Sequence, residues 1–223
     1  MVIEVLRDTA TRLVVEKEQR ILFINNKDSF VYNLVDYICR IAPNCTLRIV
    51  DNSESLQSYI DFKPDKLFIS PGPGHPKYDT GSVIPAIKYF AGKIPIFGIC
   101  LGHQAITEAF GEDPKTEYVG RAKVGPKHGK ISKIYHDSGS ESLIFEGIPN
   151  PVNVIRYHSL AAKADILPES LSICAMADDG TIMALRHKKY PIFGVQFHPE
   201  SIIMVPHGLR MIYNFLNCYS LLH

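Results

Sequence analysis

PIFGICLGHQ, at residues 95–104, is an apolar segment that ends abruptly at a cysteine with a glycine two positions away on either side. This pattern predicts a buried strand that turns sharply into a helix, with Cys100 at the apex, where only small neighbours allow close packing. The helix predicted over 101–110 would direct its amino end at the sulfur, which favours a thiolate and stabilises an oxyanion. The segment therefore predicts a nucleophilic cysteine, although a cysteine taken alone is more commonly an ordinary buried residue.

Short β-rich apolar runs alternate with amphipathic stretches from Arg20 onward, which predicts an α/β fold with an open, mostly parallel sheet flanked by helices. Strands and helices alternate, beginning and ending with a strand, over 21–24, 29–41, 46–50, 53–62, 66–69, 82–90 and 94–99. Later runs at 130–135, 152–158, 171–177, 181–186 and 191–197 have few helices between them. They predict a mixed or antiparallel extension of the sheet, followed by a final amphipathic helix from Pro206.

The composition excludes several classes of protein. Lysine and arginine number 24 against 23 acidic residues, so a net charge of +1 provides no field that would select nucleic acid or an anionic membrane. Five cysteines without a CxxC pair favour a reducing compartment over a disulfide framework or a zinc knuckle. Neither a signal peptide nor a membrane span is predicted, so we expect a soluble, cytoplasmic protein.

The chain is predicted to hold one domain and a short extension. With 223 residues and 46% hydrophobic side chains, it can bury a substantial core without cross-links. We expect residues 21–223 to form that domain and residues 1–20 to form an N-terminal extension of unknown role. Apolar runs at 2–6 and 13–15 could pair in the extension as a hairpin.

A thiol nucleophile needs a base, and nine histidines compete for that role. His198 directly follows the strand predicted over 191–197, so it would emerge at the same edge of the sheet, and Glu200 lies two residues beyond it. A carboxylate held on one ring nitrogen fixes the tautomer and leaves the other nitrogen to take the thiol proton and later return it. A surface His-Pro-Glu turn is the alternative interpretation.

The loop SPGPGHP, at residues 70–76, follows another predicted strand. Its alternating glycines and prolines would hold backbone N–H groups rigidly and let a ligand approach closely, which suits an oxyanion or a carboxylate. A simple tight turn is the alternative.

Three motifs taken together resemble those of the class I, or triad, glutamine amidotransferases: PGPG at 71–74, GICLGHQ at 98–104 and FHPES at 197–201. DSFVYNL at 28–34 and RYHSL at 156–160 further resemble the glutaminase subunits of anthranilate synthase and of para-aminobenzoate (aminodeoxychorismate) synthase. The resemblance runs from about Ile21 to the C-terminus and implies the fold of that family.

The resemblance also implies roles for individual residues. Cys100 would attack the side-chain amide of glutamine, giving a γ-glutamyl thioester and ammonia, with His198 as base and then acid and with Glu200 orienting His198. The glutamine site would contain Gly72, Pro73, Gly74, Leu101, Gln104, Ser159 and Leu160. No metal or organic cofactor is expected in this subunit.

A partner is implied as well, because ammonia in this family passes to a synthase subunit that binds chorismate. Anthranilate synthase component I, in tryptophan biosynthesis, is the first choice; the alternative is para-aminobenzoate synthase, or a subunit shared by both. Two segments are expected to face the partner, Asp28-Ser29-Phe30 and His128-Gly129-Lys130. A capped helix start and a polar turn are the respective alternatives.

Three other functions remain open from the sequence. The chain could be the glutaminase subunit of GMP synthase, which the RYHSL and DSF segments disfavour. It could be a cysteine hydrolase or peptidase of the same fold, which Gln104 disfavours. A catalytically silent, glutamine-sensing subunit is the third, and the complete set of Cys100, His198 and Glu200 argues against it, since binding alone needs none of their proton chemistry.

Overall fold

A nine-stranded mixed sheet forms the centre of the computed structural model, which describes residues 13–137 and 140–218. The strands are β1 (Arg20–Asn25), β2 (Thr46–Asp51), β3 (Lys66–Ile69), β4 (Ile96–Ile99), β5 (Val119–Arg121), β6 (Lys127–His136), β7 (Val152–His158), β8 (Leu160–Ala162), β9 (Leu171–Ala177), β10 (Ile182–His187) and β11 (Ile192–Val195). The α-helices are α1 (Val31–Ile41), α2 (Leu56–Asp61), α3 (Val83–Phe90), α4 (Leu101–Ala109) and α5 (His207–Leu216). Short 3₁₀ segments occupy Ser140–Phe145, Ala164–Ile166 and Ile202–Met204.

The strand order across the sheet is β2-β1-β3-β4-β11-β10-β9-β6-β7. The first five of these strands run parallel to their neighbours, and the pairs from β11 to β7 are antiparallel. The predicted mostly parallel sheet with an antiparallel extension is confirmed. Because β4 lies between β3 and β11, the loops that follow these three strands meet at one edge of the sheet.

Alternate side chains of the parallel strands enter two separate cores, one on each face of the sheet. In β1, Phe23 packs in a core shared with α1 and α5, whereas Leu22 packs in a core shared with α2, α3 and α4. Each face of the central strands is therefore covered by helices, which explains why their sequences are continuously apolar. None of the described helices is both long and apolar enough to span a bilayer.

Several helix and strand starts differ from the sequence prediction, including α2 at Leu56 instead of residue 53 and β6 at Lys127 instead of residue 130. Two of the differences have a local cause. Helix α1 begins at Val31 instead of residue 29, because the Asp28 carboxylate accepts a hydrogen bond from the Phe30 N–H at 2.8 Å and forms a local turn there. Strand β4 begins at Ile96 instead of residue 94, since Pro95 has no N–H to donate to a ladder.

Strands β5 and β8 pair as a small antiparallel sheet that the sequence did not predict. Each has three residues, too few to show an alternating pattern. The polar-turn interpretation of residues 128–130 is wrong, because these residues lie inside β6. The pairing of β6 with β7 shifts there, and Gly129 has a φ of 64°, as in a bulge.

The N-terminal extension is described only from Leu13 onward. The first half of the expected hairpin, at 2–6, lies outside the described residues, and residues 13–15 form no strand, contrary to expectation. Leu13 and Val15 are instead buried in the core that α1 covers, and the Val15 N–H donates to the Ile41 carbonyl at 2.7 Å. The division into residues 1–20 and 21–223 stays a prediction.

Candidate active site

Cys100 lies at the sharp turn between β4 and α4, with a φ of 51° and a ψ of −99°. A positive φ is strained for a residue with a Cβ atom, so the surrounding structure must enforce it. Two glycines make room for the turn. A Cβ atom on Gly98 would lie 2.5 Å from the carbonyl of Gly102, and one on Gly102 would lie 2.5 Å from the carbonyl oxygen of Ile69. The predicted turn with a cysteine at its apex is therefore present.

His198 and Glu200 form a buried pair beyond the end of β11. The Nδ1 atom of His198 lies 2.6 Å from Oε1 of Glu200, and the two side chains are 6% and 2% exposed. Because a carboxylate can only accept, Nδ1 carries the proton. The other ring nitrogen, Nε2, is buried and has no hydrogen-bond partner of regular geometry among the described residues. It is the atom available to exchange a proton with Cys100.

The pKa of His198 reflects its two neighbours. Burial of the ring opposes protonation, but hydrogen bonding and Coulombic attraction from Cys100 and Glu200 outweigh burial and raise the pKa of His198 to about 11. The interactions between Cys100 and His198 require that the thiol lies close to the ring. The ring of Tyr157 lies edge-on to His198 with centroids 5.4 Å apart, so His198 has a fixed orientation between a carboxylate and an aromatic side chain.

Gln104, Leu160 and Gln196 meet beside Cys100, although they come from α4, β8 and the residue after β11. The Nε2 atom of Gln104 donates to the Leu160 carbonyl at 3.0 Å and to Oε1 of Gln196 at 3.1 Å. The Nε2 atom of Gln196 lies 3.6 Å from the Cys100 sulfur. The structure thus brings together the predicted residues Gln104 and Leu160, and it adds Gln196.

Sequence reasoning missed Gln196 as a member of this site. Its one signal was a polar residue inside the apolar run from Ile192 to Phe197, two positions before His198. Nothing in that local pattern shows that the side chain would reach across to α4.

Behind Leu160, a chain of buried polar groups holds the RYHSL segment in place. The guanidinium of Arg156 donates to Nε2 of His158 at 3.1 Å, so Nδ1 of His158 carries the proton and donates to the Leu160 carbonyl at 2.9 Å. Burial and the positive charge of Arg156 lower the pKa of His158 to about 4, which keeps the ring neutral. Arg156 itself is fully buried and pairs with Asp179 at 2.7 Å.

The loop at 71–74 is anchored to the neighbouring strand ends. The Asn26 side chain donates to the Ser70 carbonyl at 2.9 Å, and Asn52 donates to Asn26 at 3.0 Å. A Cβ atom on Gly72 would collide with the backbone of Asn26, and Gly74 has a φ of 91°. The loop therefore lies at the sheet edge that carries Cys100, in a conformation that requires its glycines.

Two further predicted substrate residues have structural roles in the described chain. Leu101 is the buried first residue of α4. Ser159 is exposed, and its carbonyl accepts from the Ala122 N–H at 2.9 Å. Among the described residues, no group of three or more His, Cys, Asp or Glu side chains is arranged to hold a metal ion.

Comparison with known families adds a decisive observation. The family model described as glutamine amidotransferase class-I matches residues 22–218. The chain belongs to the class-I glutamine amidotransferases. The match includes the Cys100 turn, the 71–74 loop and the His198–Glu200 pair, so the site described above lies within the family domain.

Relatives of this amidotransferase are named as components of anthranilate synthase and aminodeoxychorismate synthase. It is 47% identical over 199 residues to the aminodeoxychorismate/anthranilate synthase component 2 of Bacillus subtilis, covering 89% of this chain and 96% of that one. It is 46% identical over 206 residues to the anthranilate synthase component 2 of Methanocaldococcus jannaschii, covering 89% and 96%.

Two other matches differ in how much of the matched protein this chain covers. The amidotransferase is 46% identical over 200 residues to the bifunctional protein TrpGD of Thermotoga maritima, covering 89% of this chain but only 32% of that protein. A crystal structure of a putative GMP synthase subunit from Thermoplasma acidophilum matches with a TM-score of 0.74 and 26% identity, covering 91% and 94%. The chain therefore spans about a third of one relative and nearly all of others.

The segments expected to face a partner are exposed on this amidotransferase. Ser29 and Phe30 are exposed after β1, Asp28 is half-buried, and residues 128–130 are exposed on β6. His128 is paired with Tyr157 across the ladder, and a Cβ atom on Gly129 would lie 3.7 Å from the Tyr157 ring. Because Tyr157 contacts His198, the 128–130 segment lies one side chain away from the candidate base.

The pair of Arg156 and Asp179 yields a stability prediction for the amidotransferase. Partial burial raises the pKa of Asp179, but hydrogen bonds from Thr181 and Arg156 outweigh it and hold that pKa below 3.8. The resulting stability is present above that pH and is lost as pH falls through the lowered pKa. We expect Asp179→Asn to lower the free energy of unfolding by about 2–3 kcal/mol at pH 7, because Arg156 keeps its buried charge.

Urea denaturation of the purified chain measures this effect, and Asp178→Asn is the matched control, since Asp178 is the adjacent aspartate and both residues are exposed. The control should unfold at the native urea concentration. Equal midpoints for the two variants would contradict a stabilising role for the pair of Arg156 and Asp179. The difference between Asp179→Asn and the native chain should also shrink as the pH is lowered toward 3.

Proposed function

We propose that this amidotransferase is the glutaminase component of a synthase that uses chorismate, with anthranilate synthase as the first candidate. The observation that carries the glutaminase assignment is the buried His198–Glu200 pair, whose ring also interacts with the side chain of Cys100 at the amino end of α4. Nucleophile, base and orienting carboxylate are the parts that hydrolysis of an amide through a thioester requires.

The acylation step follows from this arrangement. Because the pKa of His198 is raised to about 11, its Nε2 atom already holds the proton of the Cys100 thiol. The Cys100 thiolate attacks the carbonyl carbon of the glutamine side-chain amide. Backbone N–H groups at the start of α4 and in the 71–74 loop face the developing oxyanion. The proton then passes from His198 to the departing nitrogen, and the C–N bond breaks. Ammonia and a γ-glutamyl thioester on Cys100 result.

The second step reverses the roles of the same groups. Water attacks the thioester carbon and gives a proton to Nε2 of His198, which returns it to the sulfur as the C–S bond breaks. Glutamate is released and the thiol is restored. Throughout the cycle Glu200 keeps Nδ1 protonated and stabilises the charged ring, in agreement with the raised pKa of His198.

Gln104 is suited to recognise the amino-acid end of glutamine. Both of its amide hydrogens are directed to acceptors, the Leu160 carbonyl and Oε1 of Gln196. Its own oxygen is left to accept from the α-ammonium group of the substrate. In this proposal the loop of Gly72, Pro73 and Gly74 and the Ser159–Leu160 segment complete the pocket.

The identity of the partner rests on the relatives. Those nearly equal in length to this chain are named component 2 of anthranilate synthase, of aminodeoxychorismate synthase, or of both. We infer a partner subunit that binds chorismate and adds the released ammonia to it. The name of the Bacillus subtilis relative specifically favours the alternative in which one glutaminase serves both the tryptophan and the folate pathways.

Affinity capture of the chain from its native extract tests this proposal, followed by product analysis with glutamine and chorismate. We expect a co-purifying synthase and formation of ortho-aminobenzoate. A para-substituted product, or both products, would support the corresponding alternatives. Capture of a protein that aminates a purine nucleotide at the expense of ATP would overturn the proposal in favour of GMP synthase.

A further inference from the structure

The side chain of Gln196 lies between the nucleophile and the substrate-binding Gln104, and the mechanism above gives it no part. Gln196 is fully buried directly after β11, and its backbone N–H donates to the Met183 carbonyl at 2.9 Å. Its Nε2 atom lies 3.6 Å from the Cys100 sulfur, and its Oε1 atom accepts from Gln104 at 3.1 Å. A single amide group therefore contacts two groups that the reaction must hold together.

The direction of each hydrogen bond is fixed by a backbone carbonyl. The Leu160 carbonyl can only accept, so the Gln104 atom that lies 3.0 Å from it must be the amide nitrogen. That nitrogen also lies against Gln196, so Gln196 must present its oxygen to it. The amide nitrogen of Gln196 then faces the Cys100 sulfur and can only donate to it. Flipping either amide would oppose donor to donor or acceptor to acceptor.

The hydrogen bond from a buried N–H group to sulfur becomes stronger when the sulfur is charged, because hydrogen bonds to ions are about twice as strong as neutral ones. We propose that Gln196 is a positioning residue: its amide N–H orients and stabilises the attacking sulfur of Cys100, and its amide oxygen holds Gln104 in the orientation that receives glutamine. The second half of this inference rests on the proposed glutaminase function.

Two substitutions at Gln196 separate the role of its amide N–H group from the role of its amide oxygen. Gln196→Glu keeps an oxygen for Gln104 but places a second oxygen where the sulfur had a donor. We expect kcat for glutamine to fall at least about tenfold with KM within about twofold of native, since only the reacting sulfur loses a partner. Gln196→Met keeps the length of the side chain and removes both contacts, so kcat should fall and KM should rise several-fold.

The readout that a merely space-filling side chain would not affect is the pH profile of Cys100 alkylation. Iodoacetamide reacts with the thiolate, and peptide mass spectrometry distinguishes Cys100 from the other four cysteines. We expect the midpoint of the profile to rise by about one pH unit in both variants, because an N–H donor to the thiolate has been lost. The measurements use the full chain in its assembled complex, with thermal unfolding as a check on folding.

Gln19→Leu is the matched control, since Gln19 is also buried but lies before β1, at the opposite edge of the sheet, where it donates to the Leu216 carbonyl. It should leave the alkylation midpoint and the glutamine kinetics at native values.

A folded Gln196→Glu variant with native kcat and a native alkylation midpoint would overturn the proposal. Should the added charge prevent folding, Gln196→Met decides by the same two measurements. If the native complex hydrolyses no glutamine, the glutaminase assignment fails, while the alkylation shift still decides whether Gln196 positions the sulfur.

Discussion

Replacement of Cys100 by serine should abolish glutamine-dependent product formation by the assembled synthase, with a loss of at least about a thousandfold. The hydroxyl of serine is a far weaker acid than a thiol, and His198 is arranged to exchange a proton with sulfur at the amino end of α4. The measurement is steady-state formation of aminobenzoate from chorismate and glutamine. Because the proposed function assigns the amination of chorismate to the partner, the same complex should still use ammonium salt at high pH at the native rate.

Cys39→Ser is the control for this substitution, since Cys39 is an exposed thiol on α1. It should retain native activity with either nitrogen source. Persistence of glutamine-dependent activity in the Cys100→Ser complex would refute the assignment of the nucleophile. Loss of ammonium-dependent activity in that complex would mean that the substitution had disrupted assembly instead of chemistry, and thermal unfolding of the complex would reveal it.

Replacement of Glu200 by glutamine should lower kcat for glutamine on the order of 10³–10⁴-fold, although the two side chains have nearly the same shape. The carboxylate accepts from Nδ1 of His198 at 2.6 Å, whereas an amide in its place can donate to Nδ1 and move the ring proton to Nε2. A neutral ring in that tautomer cannot take the thiol proton, whereas the native ring takes it and holds it. The lost negative charge also removes a cause of the raised pKa of His198.

Glutaminase kinetics of the complex measure this effect, with ammonium-dependent synthesis as the internal reference. Glu18→Gln makes the same chemical change at an exposed position before β1, at the far edge of the sheet, and should leave kcat unchanged. A Glu200→Gln variant within about tenfold of native kcat would show that His198 is oriented without the carboxylate.

Much of the fold and of the candidate site could be predicted because the deciding signals are local. The glycines around Cys100 determine the turn within a few residues, and His198 and Glu200 follow a strand whose apolar run is visible in the sequence. The helix that was expected at Ser29 starts later because one carboxylate competes for a backbone N–H, a detail that propensity does not resolve.

What could not be predicted depends on contacts between distant parts of the chain. Gln196 and Cys100 are 96 residues apart, and Gln196 reaches Gln104 across 92 residues. The burial of Arg156 beneath Ser132, Asp179 and Thr181 likewise follows from the order of strands in the antiparallel extension. A pattern of residue types along one strand carries no information about which side chains its neighbours will supply.

The central position of β11 has a consequence for a chain that emerges from the ribosome from its amino end. This strand is the last of the sheet to be synthesised, yet it inserts between β4 and β10 and brings Gln196 and His198 to a cysteine made long before. A nascent or truncated chain that ends before residue 192 has its thiol but lacks the base and its carboxylate. The proposed ability to split glutamine therefore arises only after residues 196–200 have been synthesised and β11 has entered the sheet.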